Sequence, residues 1–376
     1  MIASKLSISC LFLVAAGTMA TPSLAVDPVQ EIVVTARPLS QTEADLAKCL
    51  AAACPPEADI DASLAHAENQ FVAGDYKGAR ETLRKSIDRN RRYAPRFPVA
   101  VSDLYRANAH VLEHMGELMR FRHSMVAMRD TLQEYLPADD PRALAAELEM
   151  ADFLFKTGAP LNAADKYLAV EREALAANVP RIAALGRLRY LSFLLRLAEA
   201  NKHDTLTLKK TRSEIEGFIA RPTAGAEQYA LVGRVLLARL DRLTGEQQST
   251  DALIAEIAAQ GGSERPILLY APRINLDDAK PFRPDKWIDV GFWVDERGRV
   301  EDVEVLRSGG KPDWADIVLE AIDKRIYAPA AAKDGETRRS FMVERYTLTA
   351  YWTWDTGSRG KVRSRSPRIE RLDLTP

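Results

Sequence analysis

The stretch Ala67-Glu-Asn-Gln-Phe71-Val-Ala-Gly74-Asp75-Tyr76-Lys-Gly-Ala79 decides the reading of the chain. Residues at helical spacing lead into a glycine, and a second helical segment begins directly after it. Gly74 tolerates the left-handed backbone that closes a helix. Ala67 and Ala79 are small enough to let two helices touch. The pattern recurs: Gly74, Gly116 and Gly158 are spaced by 42 residues, Asn201 follows after 43 and Gly245 after 44. Seven residues before each turn stand Ala67, Ala109, Ala151, Leu194 and Ala238, and five after it Ala79, Phe121, Ala163, Leu206 and Thr250. The fourth unit carries Leu at both contact positions, and the fifth is degenerate, as terminal repeats often are.

Outward from this stretch, residues 58–262 are rich in Ala, Leu, Arg and Glu with helical periodicity. This region resembles a tetratricopeptide-type solenoid with helices longer than the standard 34-residue unit. The resemblance implies a superhelix whose concave face binds peptides or proteins. A plain helical spacer is the other reading.

The composition changes after Gly261-Gly262. Trp287-Ile-Asp-Val-Gly-Phe-Trp-Val294 alternates, a turn follows at Asp295-Glu-Arg-Gly298, and residues 300–306 read as the return strand. Ser308-Gly309-Gly310 breaks the hairpin. Asp313 is placed to cap a helix carrying Trp314, Ile317, Val318, Ala321 and Ile322. Ile326-Tyr327-Ala328-Pro329-Ala330 and the Lys333-Asp334-Gly335 turn then lead to a long β run over 341–354. In that order these motifs resemble the C-terminal domain of the TonB energy-transducer family, over roughly residues 268–350. The resemblance implies a non-enzymatic α+β domain, assigned here to 263–355, that captures an extended segment of an outer-membrane receptor as an added strand. Carried over, residues 341–350 become the recognition edge, with Phe341, Val343, Arg345, Tyr346 and Leu348 as partner-binding residues. The other reading is a covered edge in a domain that caps the helices.

The chain begins with a short n-region ending at Lys5, an apolar run from Leu6 to about Ala16, and Ser23-Leu24-Ala25 after Pro22. Residues 1–25 therefore read as a secretory signal peptide, which predicts a periplasmic protein. The run is shorter than the roughly 20 apolar residues of a membrane span. Retained as an anchor, it would place the protein on the inner membrane facing the periplasm. Residues 26–57 read as an extended linker. Within it, Glu31-Ile32-Val33-Val34-Thr35-Ala36-Arg37 resembles the TonB box and is a candidate ligand for the 341–350 edge, the alternative being a floppy linker. Cys49 and Cys54 form a disulfide if Pro55-Pro56 breaks the helix between them, and otherwise stay as free thiols. The tail, 356–376, carries Arg359, Lys361, Arg363, Arg365 and Arg368 among Gly, Ser and Pro, and reads as disordered.

Arg84, Lys85, Arg89, Arg91, Arg92 and Arg96 form a basic run, either a solvated face or a contact for an anionic partner. The whole chain is balanced, with 52 Lys plus Arg against 53 Asp plus Glu, which argues against nucleic-acid binding. His110-Val-Leu-Glu113-His114 matches the inverted zinc-protease motif, yet no second motif supplies a third ligand. A zinc hydrolase is therefore the remotest reading.

The expectation is multi-domain: an all-α, tetratricopeptide-like solenoid followed by a small TonB-like α+β domain. Its function would be that of a periplasmic adaptor or scaffold without catalysis, cofactor or small-molecule substrate. Its partners would be envelope proteins or extended peptide segments, outer-membrane receptors among them. The alternative is a TonB-type energy transducer anchored by residues 1–25. The long proline-rich spacer of that family has no counterpart here, and the first histidine is His66. Intact mass of the exported protein separates the two: the adaptor begins at Val26, the transducer retains Met1.

Overall fold

A computed structural model describes residues 38–246, 248–259, 263–276, 286–331, 337–354 and 360–375. The readings of the signal peptide and of Glu31–Arg37 lie outside these residues. The fold is a helical region followed by an α+β part. Among the described residues eleven α-helices come first: α1 (Leu39–Ala51), α2 (Pro56–Val72), α3 (Tyr76–Asn90), α4 (Pro98–His114), α5 (Leu118–Tyr135), α6 (Pro141–Lys156), α7 (Pro160–Ala176), α8 (Pro180–Ala200), α9 (Thr205–Ala220), α10 (Ala230–Leu243) and α11 (Gln248–Ala259). Then come β1 (Ile267–Tyr270), β2 (Lys286–Val294), β3 (Val300–Gly309), α12 (Ala315–Asp323), β4 (Ile326–Ala328), β5 (Ala330–Ala331), β6 (Thr337–Arg338), β7 (Ser340–Thr349), β8 (Trp352–Trp354), β9 (Lys361–Arg363) and β10 (Arg368–Asp373).

Local chemistry sets the helix ends. Proline opens α2, α4, α6, α7 and α8, where its missing N–H costs nothing. Gly74, Gly116, Gly158 and Gly245 all take positive φ, between 67° and 95°. After each, the next N–H returns to a carbonyl five residues back, as in Asp75 to Gln70 and Glu117 to Leu112, which satisfies a helix-end acceptor. Asn201 departs from this expectation. Its φ is −122°, and its side-chain Nδ2 bonds the Leu197 carbonyl instead. The turn runs two residues longer, to Asp204, which caps α9. That shift leaves Leu206 76% exposed and moves Leu208 to the partly buried contact position. The other predicted contact residues are buried, including Leu194 and Thr250.

Each helix packs on its neighbours in sequence, and α2 also meets α4, α6 meets α8 and α8 meets α10. Residues 39–51, expected as extended linker, form α1, whose buried Thr42 hydroxyl meets His66 and Asn69 of α2. After Ala51 the backbone turns at Ala53 (φ +48°), bringing Cys54 back onto Cys49 in a disulfide with a Cα–Cα distance of 5.1 Å.

The main sheet has the order β10-β7-β2-β3, antiparallel throughout. Ile288, Val290, Phe292 and Val294 alternate onto one face with Met342, Tyr346 and Leu348, and pack on Val318 and Ile322 of α12. The helix forms where expected, but Asp313 gives no cap and pairs with Lys286. The 356–376 tail does not match its reading as disordered: it supplies β9 and β10. Leu372 and Leu374 of the tail join the core of α2, α3 and α4 beside Ile60, Leu64 and Leu104. At the other end, Ile267 and Leu269 of β1 and Ala328 of β4 enter the core of α8 to α11. The α+β part thus touches both ends of the helical region. Leu372→Ala is expected to remove about 2–5 kcal/mol of stability, read as a lower urea midpoint with an unchanged slope.

Candidate functional site at the seam between helices and sheet

The second face of the sheet is polar. β2 and β7 turn Trp287, Asp289, Arg345, Thr347 and Thr349 away from α12, toward the C-terminal ends of α2 and α4. Helix ends leave unpaired carbonyls and partial negative charge, so a cation there is favoured. Arg345 meets this need. Its Nη1 donates to the Phe71 carbonyl at 2.8 Å and its Nη2 to that of Val72 at 2.8 Å. Its Nε donates to Asp289 Oδ1 at 2.6 Å and Nη2 to Oδ2 at 3.0 Å, a bidentate pair. Both residues are fully buried. The guanidinium also lies 4.0 Å from the Trp287 ring centroid. Trp287 itself is seated between Gly74 and Gly309, where a Cβ would collide with the indole. Gly116 likewise sits against the Ala350 carbonyl and accepts from the Trp352 N–H at 2.9 Å. Two of the repeat glycines therefore carry the sheet as well as ending their helices.

Next along the seam, Thr347 Oγ1 lies 2.8 Å from His114 Nδ1 and 2.9 Å from the Tyr76 hydroxyl. Phe71 and Tyr76 pack around the imidazole, and burial holds its pKa down at about 3, so His114 is neutral. Beside it, Glu113 is 3% exposed and accepts from Lys156 Nζ at 2.9 Å. Burial alone would raise its carboxyl; Lys156, His110 and Arg368 overcome that and hold it well below the usual range. Arg368 of β10 pairs with Glu370, and its Nη2 also lies 3.6 Å from Glu113 Oε1. A cleft with about 30 Å³ of free volume, room for one water, is lined by His110, Glu113, Glu149, Asp152 and Lys156. Of the three residues of the zinc-protease motif, His114 faces the sheet, while His110 and Glu113 lie 3.8 Å apart at the cleft with Glu113 held by the Lys156 ammonium. Among the described residues no group of three or more His, Cys, Asp or Glu is placed to hold a metal.

The expected recognition edge is corrected here. β7 is flanked on both sides, by β2 and by β10, with Glu344 to Thr349 paired to Asp373 to Arg368. Val343 is bonded as well, its carbonyl to the Leu374 N–H and its N–H to the Thr375 hydroxyl. Of the proposed partner-binding residues, Arg345, Tyr346 and Leu348 are buried and Val343 is partly buried. Phe341, 37% exposed, lies against Trp293 with ring centroids 5.0 Å apart. The chain's own tail occupies the edge. The outer strand on the other side is β3, and among the described residues none pairs with its outer side beyond the bridge of Arg299 to Ile326.

The basic run is largely tied up within the chain. Arg84 and Lys85 pair with Glu81, Arg89 with the buried Asp59, and Arg92 and Arg96 stack on Tyr93 and Phe97. Sequence reasoning missed a second network under the sheet. Arg325 is buried and donates to Glu344 at 2.9 Å, to the Tyr346 hydroxyl at 2.5 Å and to that of Tyr327 at 3.1 Å. The signal was present: Glu344 and Arg345 are adjacent in an otherwise apolar run, so they point to opposite faces. If both faces are buried, each requires its own counter-charge.

No protein-family model and no curated protein matches the chain. Among solved structures it is similar to the crystal structure of BtubC (BKLC) from P. vanneervenii, with a TM-score of 0.44 and 14% identity, covering 63% of this chain and 93% of that one. Among the described residues no helix is long and apolar enough to cross a membrane.

Arg345→Met leaves the Asp289 carboxylate with Arg307 alone and strands two helix-end carbonyls, and is expected to cost about 3–5 kcal/mol. Adding Asp289→Asn should recover part of that loss in a denaturant double-mutant cycle.

Proposed function

We propose that the protein is a non-enzymatic, protein-binding adaptor of the bacterial periplasm, in which a tetratricopeptide-type helical array carries a TonB-like sheet. In this reading it holds an extended segment of an envelope protein by strand addition at β3. The observation that supports it most is the sheet order, which leaves β3 outermost. An open edge carries a ladder of unpaired N–H and C=O groups, and an added strand satisfies them. β3 bears the features that keep such an edge from aggregating. Glu301, Asp302, Glu304 and Arg307 are exposed, and a bulge at Asp302 (φ +52°) interrupts the pairing. Beside the edge, Leu306 and Phe341 close over Gly291, where a Cβ would meet both, and Trp293 completes an apolar strip. Main-chain bonds would give such a complex its affinity, and this strip would select alternate side chains.

The test is to select extended peptides against the full chain and map the winners by hydrogen exchange. Strand addition raises protection of the β3 amides at 301–308 and leaves the β10 amides unchanged. Protection confined to the helices would contradict the reading.

A further inference from the structure

Helix α7 carries Leu161, Leu168 and Leu175, each seven residues from the next. Seven residues make nearly two helical turns, so the three side chains fall on one face of a helix about 25 Å long. Leu161 is 69% exposed, Leu175 53%, and Leu168 is half-buried. Single exposed leucines are ordinary on a protein surface, but an aligned apolar stripe is not. The repeat does not require one. These leucines stand 3, 10 and 17 residues after Gly158, and the same offsets from Gly74 hold Lys77, Arg84 and Arg91. From Gly116 they hold Met119, Val126 and Gln133. The full stripe belongs to α7.

Beside it lie Asp165 and Arg172, each one turn after a leucine of the stripe. Both are exposed, and among the described residues neither closes a salt bridge. Two copies of α7 laid face to face in parallel would set Asp165 against the partner's Asp165 and Arg172 against the partner's Arg172. Antiparallel about a two-fold axis at Leu168, the arrangement is different. Leu161 meets the partner's Leu175, and Leu168 meets its own mate. Asp165 then lies one residue, about 1.5 Å, from level with the partner's Arg172, on the same side of the helix pair. The axis repeats each contact, so the face is self-complementary in both shape and charge.

We propose that this face of α7 is a docking surface for a second copy of the chain, which packs α7 against α7 antiparallel about a two-fold axis at Leu168.

The leucines supply the attraction, since pairing removes their exposed surface from water. The two Asp165–Arg172 pairs set direction and register more than affinity. One pair of 17-residue helices covers less than the roughly 1,600 Å² of a standard interface. The dimer is therefore weak, with a Kd on the order of 10 µM. The pairing does not depend on a strand bound at β3.

Sedimentation velocity of the full chain from about 1 to 200 µM, a range that brackets that Kd, tests the idea. The wild-type chain should pass from monomer to dimer across it. Leu168→Glu sets two carboxylates against each other at the axis and should weaken association by about tenfold or more. Leu161→Ser with Leu175→Ser, at positions already exposed in the single chain, should do the same with far-UV circular dichroism unchanged. Asp165→Arg alone should weaken it by about threefold to tenfold. Adding Arg172→Asp should restore it, because the swapped charges again face their opposites. A chain that stays monomeric over the whole range would overturn the proposal and leave the stripe to a different protein. So would a dimer that keeps its affinity in both leucine variants, or a charge swap that fails to restore association.

Discussion

A buried guanidinium stands at the centre of the seam that joins the two parts of this chain. Arg345 is fully inaccessible, binds the Asp289 carboxylate in bidentate fashion and closes the last carbonyls of α2. Burying a charge is expensive unless every donor is matched, and here the partners come from both sides of the seam. The sheet supplies the counter-ion, the helix supplies its dipole end, and Trp287 covers the guanidinium face. Gly74 is needed twice, once for the left-handed turn and once as the floor under Trp287. Separating the sheet from α2 would leave the Arg345–Asp289 pair uncovered and two helix-end carbonyls without their donor.

The terminal strand extends that dependence. β10 adds apolar side chains to the first helical core and charged ones to the Glu113 and Lys156 cluster. In doing so it fills the strand position beside β7 that would otherwise be the natural site for an added segment. Among the described residues the sheet is left with β3 as its open side, guarded by charge and a bulge. The functional reading accordingly moves from an edge at the centre of the sheet to one at its rim. The ends of α2, α4 and α10 position the sheet. From α10, Arg239 reaches the carbonyls of Leu268 and Leu269.

Much of the helical region was legible because its determinants are local. A glycine forced to positive φ, followed by a helix start, marks a turn whatever packs on it, and four of the repeat turns follow that rule. Asn201 broke the register because a side-chain amide can end a helix without the left-handed backbone. The hairpin β2–β3 and α12 showed their period-2 and period-3.6 patterns plainly. The tail did not, because Arg, Ser and Pro at 363–368 hid the short apolar pattern of Ile369, Leu372 and Leu374. Its charged residues read as solvated when their partners lie far away in sequence. Arg345 is the extreme case: its acceptor at Phe71 is 274 residues distant, beyond any local pattern. β7 looked like an edge for the other reason, since the nearby strand that covers it was hidden by the composition of the tail.

The central claim is that helices and sheet form one folding unit through the seam. The five tryptophans, at 287, 293, 314, 352 and 354, all belong to the α+β part, whereas far-UV circular dichroism is dominated by the helices. Equilibrium unfolding in urea, followed by both signals on one sample, therefore reads the two parts separately. One unit predicts coincident curves with a common midpoint. Loss of tryptophan signal at a distinctly lower urea concentration, with helicity intact, would contradict the account.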